Sequence, residues 1–198
     1  MNNFAFAIAW GPEDAAAALA QPGTMIVAGG TELLNWMRLG IVAPERIVDI
    51  GRMREHGQIR QDGERLTIGA LATLNEVGEH PVARERASVL AEACLKAASA
   101  QVRHRATLGG NVLQKTRCAY FRSEAPLPWG CNKRQPGSGC AARDGLNDRH
   151  AIFGWTDASK VTRASVLADT EDPLSSKRSE TCRVNVGPSV GPGLGLGF

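Results

Sequence analysis

Three cysteines, Cys118, Cys131 and Cys140, fall within 23 residues of a chain that has five in all. They are set among Tyr120-Phe121 and Gly137-Ser138-Gly139, in a stretch too polar to suggest a core of its own. An odd set of thiols in a chain without a secretory start is poorly explained by disulfides. Thiolate ligation of a soft metal centre explains it better, and zinc held by the three thiols and His150 is the generic form. No tight Cys-x-x-Cys pair is present. Around the thiols the charge balance shifts: Arg103, Arg105, Lys115, Arg117, Arg122, Lys133, Arg134 and Arg143 face a single acid, Glu124, between residues 101 and 143. Such a segment is either a solvated basic face or an attractor for a ligand diphosphate or an acidic partner. Nucleic acid would find only Tyr120, Phe121 and Trp129 as stacking platforms, and is not expected. The four histidines, His56, His80, His104 and His150, form no triad-like grouping, so no catalytic acid, base or nucleophile is expected.

A second kind of chemistry belongs to two glycine turns. In Met25-Ile26-Val27-Ala28-Gly29-Gly30-Thr31-Glu32-Leu33-Leu34 an apolar run ends in a glycine pair, and a helix start follows at once. The first N–H groups of a helix have no internal partner and carry the positive end of its dipole, so a diphosphate could lie across this junction. A tight strand-to-helix connection accounts for a lone Gly-Gly equally well. The second turn is Thr107-Leu108-Gly109-Gly110-Asn111, preceded by Gln101-Val102-Arg103-His104-Arg105.

The elements that must position these turns follow from periodicity and punctuation. Phe4, Phe6 and Ile8 alternate with smaller residues as a first strand. Pro12-Glu13-Asp14 opens a helix that stops at Pro22-Gly23. A second strand covers residues 24–28; Thr31 caps the next helix, with Leu33, Leu34 and Met37 on one face, and Gly40 ends it. Residues 46–50 are a third strand. Strand, helix, strand, helix, strand predicts a small parallel sheet with helices packed on it. The polar run 52–64 is expected to be a boundary, so the division is 1–57, 58–157 and 158–198. A strand over 66–70, a short helix capped by Thr73, and one longer helix over 82–98 follow. Cys94, at helical spacing with Leu90 and Ala97, is expected to be a small buried apolar residue.

The composition is that of a globular protein: 198 residues, 22% charged, 43% apolar, net charge +3. No apolar run reaches membrane-spanning length. A cytoplasmic location is expected, or a periplasmic one if a partner carries the export signal.

AGGTELL, then LTIGALATLNEV (66–77), then QVRHRATLGGNV (101–112), in that order, resemble the FAD-binding subunit of molybdenum hydroxylases over residues 1–157. That family includes the flavin subunits of xanthine dehydrogenase and aldehyde oxidase. The resemblance implies an α+β, PCMH-type FAD-binding fold: a small parallel βαβ subdomain, then a second α+β subdomain, here incomplete. It implies FAD extended between the two, its pyrophosphate on Val27, Ala28, Gly29, Gly30 and Thr31, with Glu32 and Leu33 adjoining. Thr107, Gly110 and Asn111 would form a second clasp, with Leu108 and Gly69 lining the same cleft. Glu32, an acid beside phosphates, is expected to point away from them. The implied activity is electron transfer from iron–sulfur centres through FAD to an external acceptor, with a molybdenum-cofactor subunit and a [2Fe-2S] subunit as partners.

Residues 117–122, 131–140 and 150–154 resemble one branch, the bacterial aldehyde-oxidase type, in which the insertion 115–150 holds a [4Fe-4S] cluster. Cys118, Cys131 and Cys140 take three of the four ligand positions, and Ser159 or a neighbour stands near the fourth. After Asp157 the resemblance stops. Residues 160–198, rich in Ser, Thr, Gly and Pro, are expected to be a disordered tail, as a lost reading frame near Ser159 would leave behind. A truncated, inactive fragment, or a zinc-stabilised module using 101–143 to bind nucleic acid or an acidic protein, are the competing expectations.

Overall fold

The computed structural model describes residues 2–147 and 150. Expectations that fall on 151–198, namely the tail, the frame loss and the Ser159 position, lie outside them.

The N-terminal third is built as the periodicity predicts. β1 (Ala5–Ile8), β2 (Thr24–Val27) and β3 (Arg46–Asp49) form a parallel sheet in the order β1-β3-β2. α1 (Pro12–Leu19) starts with proline at its first turn, and the Asp14 carboxylate accepts from the Trp10 N–H at 3.1 Å. α2 (Leu33–Arg38) ends before Gly40, whose φ of 67° closes the helix in the left-handed region. The central strand is buried on both faces. Ile47 packs with Leu33, Trp36 and Met37, while its neighbour Val48 packs with Ala9 and Ala15. Alternation along a strand sends adjacent side chains to opposite sides, so each helix covers one face. Edge strand β1 is exposed along its length, with Phe6 60% accessible, and Trp10 just beyond it is 70% accessible.

The second unit differs from expectation in three places. The run 52–64 is not merely a connection. It contains one 3-10 turn (Arg54–Gly57) and β4 (Ile59–Asp62), which pairs antiparallel with β5 (Arg65–Ile68). The two-residue turn Gly63-Glu64, with Gly63 at φ 56°, makes this hairpin. The single helix expected over 82–98 is two: α4 (Pro81–Arg86) and α5 (Ser88–Lys96), broken at Ala87 with φ −138°, ψ 52°. The break tucks Ala87 against the core and turns Leu90, Ala93 and Cys94 onto α3 (Leu74–Glu79); packing outweighs alanine's helix preference. Third, residues 100–103 form a short helix, α6, capped by Ser99.

The cap of α3 is as expected and more complete. The Thr73 hydroxyl accepts from the Glu76 N–H at 3.2 Å, and the Glu76 carboxylate accepts from the Thr73 N–H at 2.7 Å. Cys94 is fully buried, and burial pushes its thiol up to about 11. α7 (Leu108–Val112) completes this unit, with Leu108 in the same core. Among the described residues no helix is long and apolar enough to cross a membrane.

Candidate functional site

The first glycine turn joins β2 to α2. Thr31 does not cap α2. Glu32 stands at that position with no side-chain cap bond, and the Thr31 carbonyl instead accepts from Asn35 Nδ2 at 2.8 Å. The reason is the conformation of the turn, in which Gly30 adopts φ 77° and the Leu34 N–H reaches back to the Gly30 carbonyl. Among the described residues, nothing accepts from the backbone N–H groups of Ala28, Gly29, Gly30, Thr31, Glu32 and Leu33. A run of unused donors at a helix start is the donor set an anionic group requires. The side chain of Leu33, by contrast, is buried in the core beneath α2.

The second turn lies against the first. A Cβ added at Gly29 would sit 1.8 Å from the Arg105 carbonyl oxygen and 2.6 Å from its carbon. The glycine therefore admits the backbone that leads into the second turn, rather than open space for a ligand. Thr107 pairs with Thr73 across an isolated antiparallel bridge, and the chain is pinned on both sides: Leu74 N–H to Ala106 O, Leu108 N–H to Ala72 O, Gly109 N–H to Ala70 O. Thr107 Oγ1 caps α7 by accepting from the Gly110 N–H at 3.2 Å. Most donors of this turn are thus already used, and Thr107 and Leu108 are buried. Its accessible parts are Gly110 and the half-buried Gly109 and Asn111. Gly69 abuts the His56 carbonyl, where a Cβ would meet the oxygen at 2.1 Å, so it seats the end of β5 on the 3-10 turn.

The Glu32 side chain is held by two arginines of the basic segment. Its carboxylate meets Arg122 Nη2 at 2.9 Å and Nη1 at 3.3 Å, and Arg117 Nη2 at 3.8 Å. No single-sequence signal marks this pair, whose members are 90 positions apart. The basic segment as a whole is largely engaged within the chain. Arg134 donates to the carbonyls of Phe121, Ser123 and Gly40, Arg103 to that of Ala98, and Lys115 lies 5.6 Å from the Trp36 ring centre.

The cysteine segment also corrects two expectations. It does form its own core: Cys118, Phe121 and Ala142 are buried, with Tyr120, Cys131 and Cys140 packed around them. The three thiols line one small cavity of about 10 Å³. Even so, among the described residues no group of three His, Cys, Asp or Glu side chains is arranged to hold a metal ion. Neither the zinc site with His150 nor a ready [4Fe-4S] cradle is present in this arrangement. Packing explains the difference: Cys131 and Cys140 face each other across a two-residue bridge, flanked by Asn132 N–H to Gly139 O and Ala141 N–H to Gly130 O. Phe121, 1% exposed, fills the space beside them. A larger cavity of about 310 Å³ opens elsewhere, between α2's end, Val42 to Pro44 and Glu124-Ala125, away from both glycine turns.

The glycine turn at the end of a parallel strand and its unused N–H groups together make a binding site suited to an anionic group such as a phosphate. Residues 2–166 match the family described as the FAD binding domain in molybdopterin dehydrogenase, and the chain belongs to that family. It is 40% identical over 156 residues to the aldehyde oxidoreductase FAD-binding subunit PaoB of Escherichia coli, covering 79% of this chain and 48% of that one. It is 39% identical over 101 residues to the carbon monoxide dehydrogenase medium chain of Hydrogenophaga pseudoflava, covering 50% and 35%. The solved carbon monoxide dehydrogenase from the same organism superposes with a TM-score of 0.55 at 34% identity, over 56% of this chain and 39% of that chain. The chain spans about half the length, 48%, of the E. coli relative.

Proposed function

We propose that this chain is the FAD-binding part of a molybdenum hydroxylase-type dehydrogenase, an oxidoreductase subunit passing electrons from iron–sulfur centres through FAD to an external acceptor. One observation carries the proposal: two glycine turns from separate units meet at the Gly29–Arg105 contact, beside a row of unused backbone N–H groups. Those N–H groups, from Ala28 to Leu33, would bind the pyrophosphate, with Val27 ending the strand that presents them. Gly110 and the Asn111 amide would clasp it from the second turn, with the backbones of Gly69, Thr107 and Leu108 forming the wall behind. Subdomains 1–57 and 58–157 would supply one turn each. When bound, FAD supplies the redox chemistry, and the chain's own work is to bind and orient it. A molybdenum-cofactor subunit and a [2Fe-2S] subunit are the proposed partners. The iron–sulfur centres of the route are assigned to a partner, in keeping with the packing of Cys118, Cys131 and Cys140.

The test is uptake of FAD by the purified chain, followed by flavin absorbance after gel filtration and by quenching of flavin fluorescence. A yellow protein with about one FAD per chain is expected. A folded protein that stays colourless in excess FAD overturns the proposal.

A further inference from the structure

We infer that Arg122 is a positioning residue for the FAD site, acting through Glu32; this rests on the function proposed above. Glu32 is the residue that opens α2, and its own backbone N–H is one of the row that would hold a pyrophosphate. Left unpaired, its carboxylate would repel that anion, and nothing in α2 itself would hold it aside. Arg122 is the main answer to both problems, since the second arginine on this carboxylate, Arg117, stands off at 3.8 Å and is 53% exposed. The Arg122 guanidinium grips both oxygens of Glu32, at 2.9 and 3.3 Å. It is itself fixed by the carbonyls of Thr116 at 2.8 Å and Lys115 at 3.1 Å. Both side chains are largely withdrawn from water, at 18% and 19% exposure, so solvent screens the pair little.

The same segment holds the rest of α2. Lys115 lies over Trp36 in its middle, and at its far end Ala125 N–H donates to Leu39 O at 2.9 Å and Arg134 Nη2 to Gly40 O at 3.3 Å. The stretch 115–134 therefore straps the helix whose start forms the glycine turn, and Arg122 is the point where strap and turn meet. Charge and geometry are both required, because a lysine ammonium cannot reproduce a two-pronged grip on a carboxylate.

The experiment measures FAD affinity of the purified full chain by fluorescence quenching, with thermal melting as the check on folding. Arg122→Gln is expected to bind FAD about tenfold more weakly, a coupling of ordinary size between neighbouring groups. The double variant Glu32→Gln/Arg122→Gln removes the exposed carboxylate as well, and is expected to regain most of the lost affinity. A purely structural role predicts the opposite, a double variant at least as weak as the single one. Arg122→Lys serves if the glutamine variant melts too low, and is expected to fall between wild type and Arg122→Gln. Unchanged affinity in Arg122→Gln or in Arg122→Lys, or no recovery in the double variant, overturns the inference while leaving FAD binding intact. A wild-type chain that takes up no FAD overturns the proposed function instead, and the inference with it.

Discussion

Gly29→Ala puts the contact between the two turns to its most direct test. The added methyl would lie 1.8 Å from one backbone atom of Arg105 and 2.6 Å from another. Carbon does not approach oxygen much inside 3 Å in a packed interior, so the two backbones must part by about 1.2 Å. No rotamer change relieves this, because both obstacles are main chain. Overpacking of this kind costs about 1–3 kcal/mol, and the rigidity of the neighbours places Gly29→Ala near the top of that range. In a chain of this size that corresponds to a fall in Tm of roughly 6–12 °C. Parting the turns should also weaken FAD binding beyond what the melting change explains at temperatures where the variant is folded. Melting followed by circular dichroism, with an FAD titration at 15 °C, measures both. Gly11→Ala is the steric control: nothing lies within 4 Å of its Cβ position, so its change is limited to the loss of a favourable N-cap residue of α1, about 1 kcal/mol or less. A Gly29→Ala protein that melts and binds FAD like wild type would refute the contact.

Other outcomes follow from single features. Thr73→Ala removes half of the α3 capping box and should lower stability by about 1 kcal/mol, read as a shift in the urea midpoint without a change in slope. Cys94 is neutral in the fold with its pKa raised from 9.0 to about 11, so the folded state binds its proton more tightly than the unfolded one. The resulting stability is fully present below pH 9 and is lost as pH rises towards 11, by up to about 3 kcal/mol; Cys94→Ala should flatten that alkaline slope in urea melts. Phe121→Ala empties the centre of the cysteine segment and should cost about 3–5 kcal/mol, seen as faster labelling of Cys118 by a thiol reagent.

The parallel sheet was legible because each of its signals is local. Alternation at Phe4 to Ile8, Pro12 before two acids, and Gly40 after α2 all act within one turn of chain. The Thr73–Glu76 box and the burial of Cys94 were legible for the same reason. What escaped depends on partners distant in sequence. β4 reads as polar linker because Arg60, Gln61 and Asp62 all face solvent, and only pairing with β5 makes it a strand. The break at Ala87 is dictated by the core that α5 must meet, and alanine itself gives no sign of it. Polar spacing around Cys118 hid the small core that Phe121 organises. The two turns could be named from sequence by resemblance, but their contact at Arg105 and the partner of Glu32 required the fold.

The seat of Gly29 on the Arg105 carbonyl has a practical corollary for anyone splicing this chain with a relative. A crossover anywhere in the polar stretch around 52–64 looks harmless, yet it hands the two halves of one fitted joint to different parents. Chimeras that exchange residues 24–33 together with 101–112 keep mortise and tenon from the same source; those that exchange only one keep the joint where the incoming parent also carries a glycine at the position of Gly29.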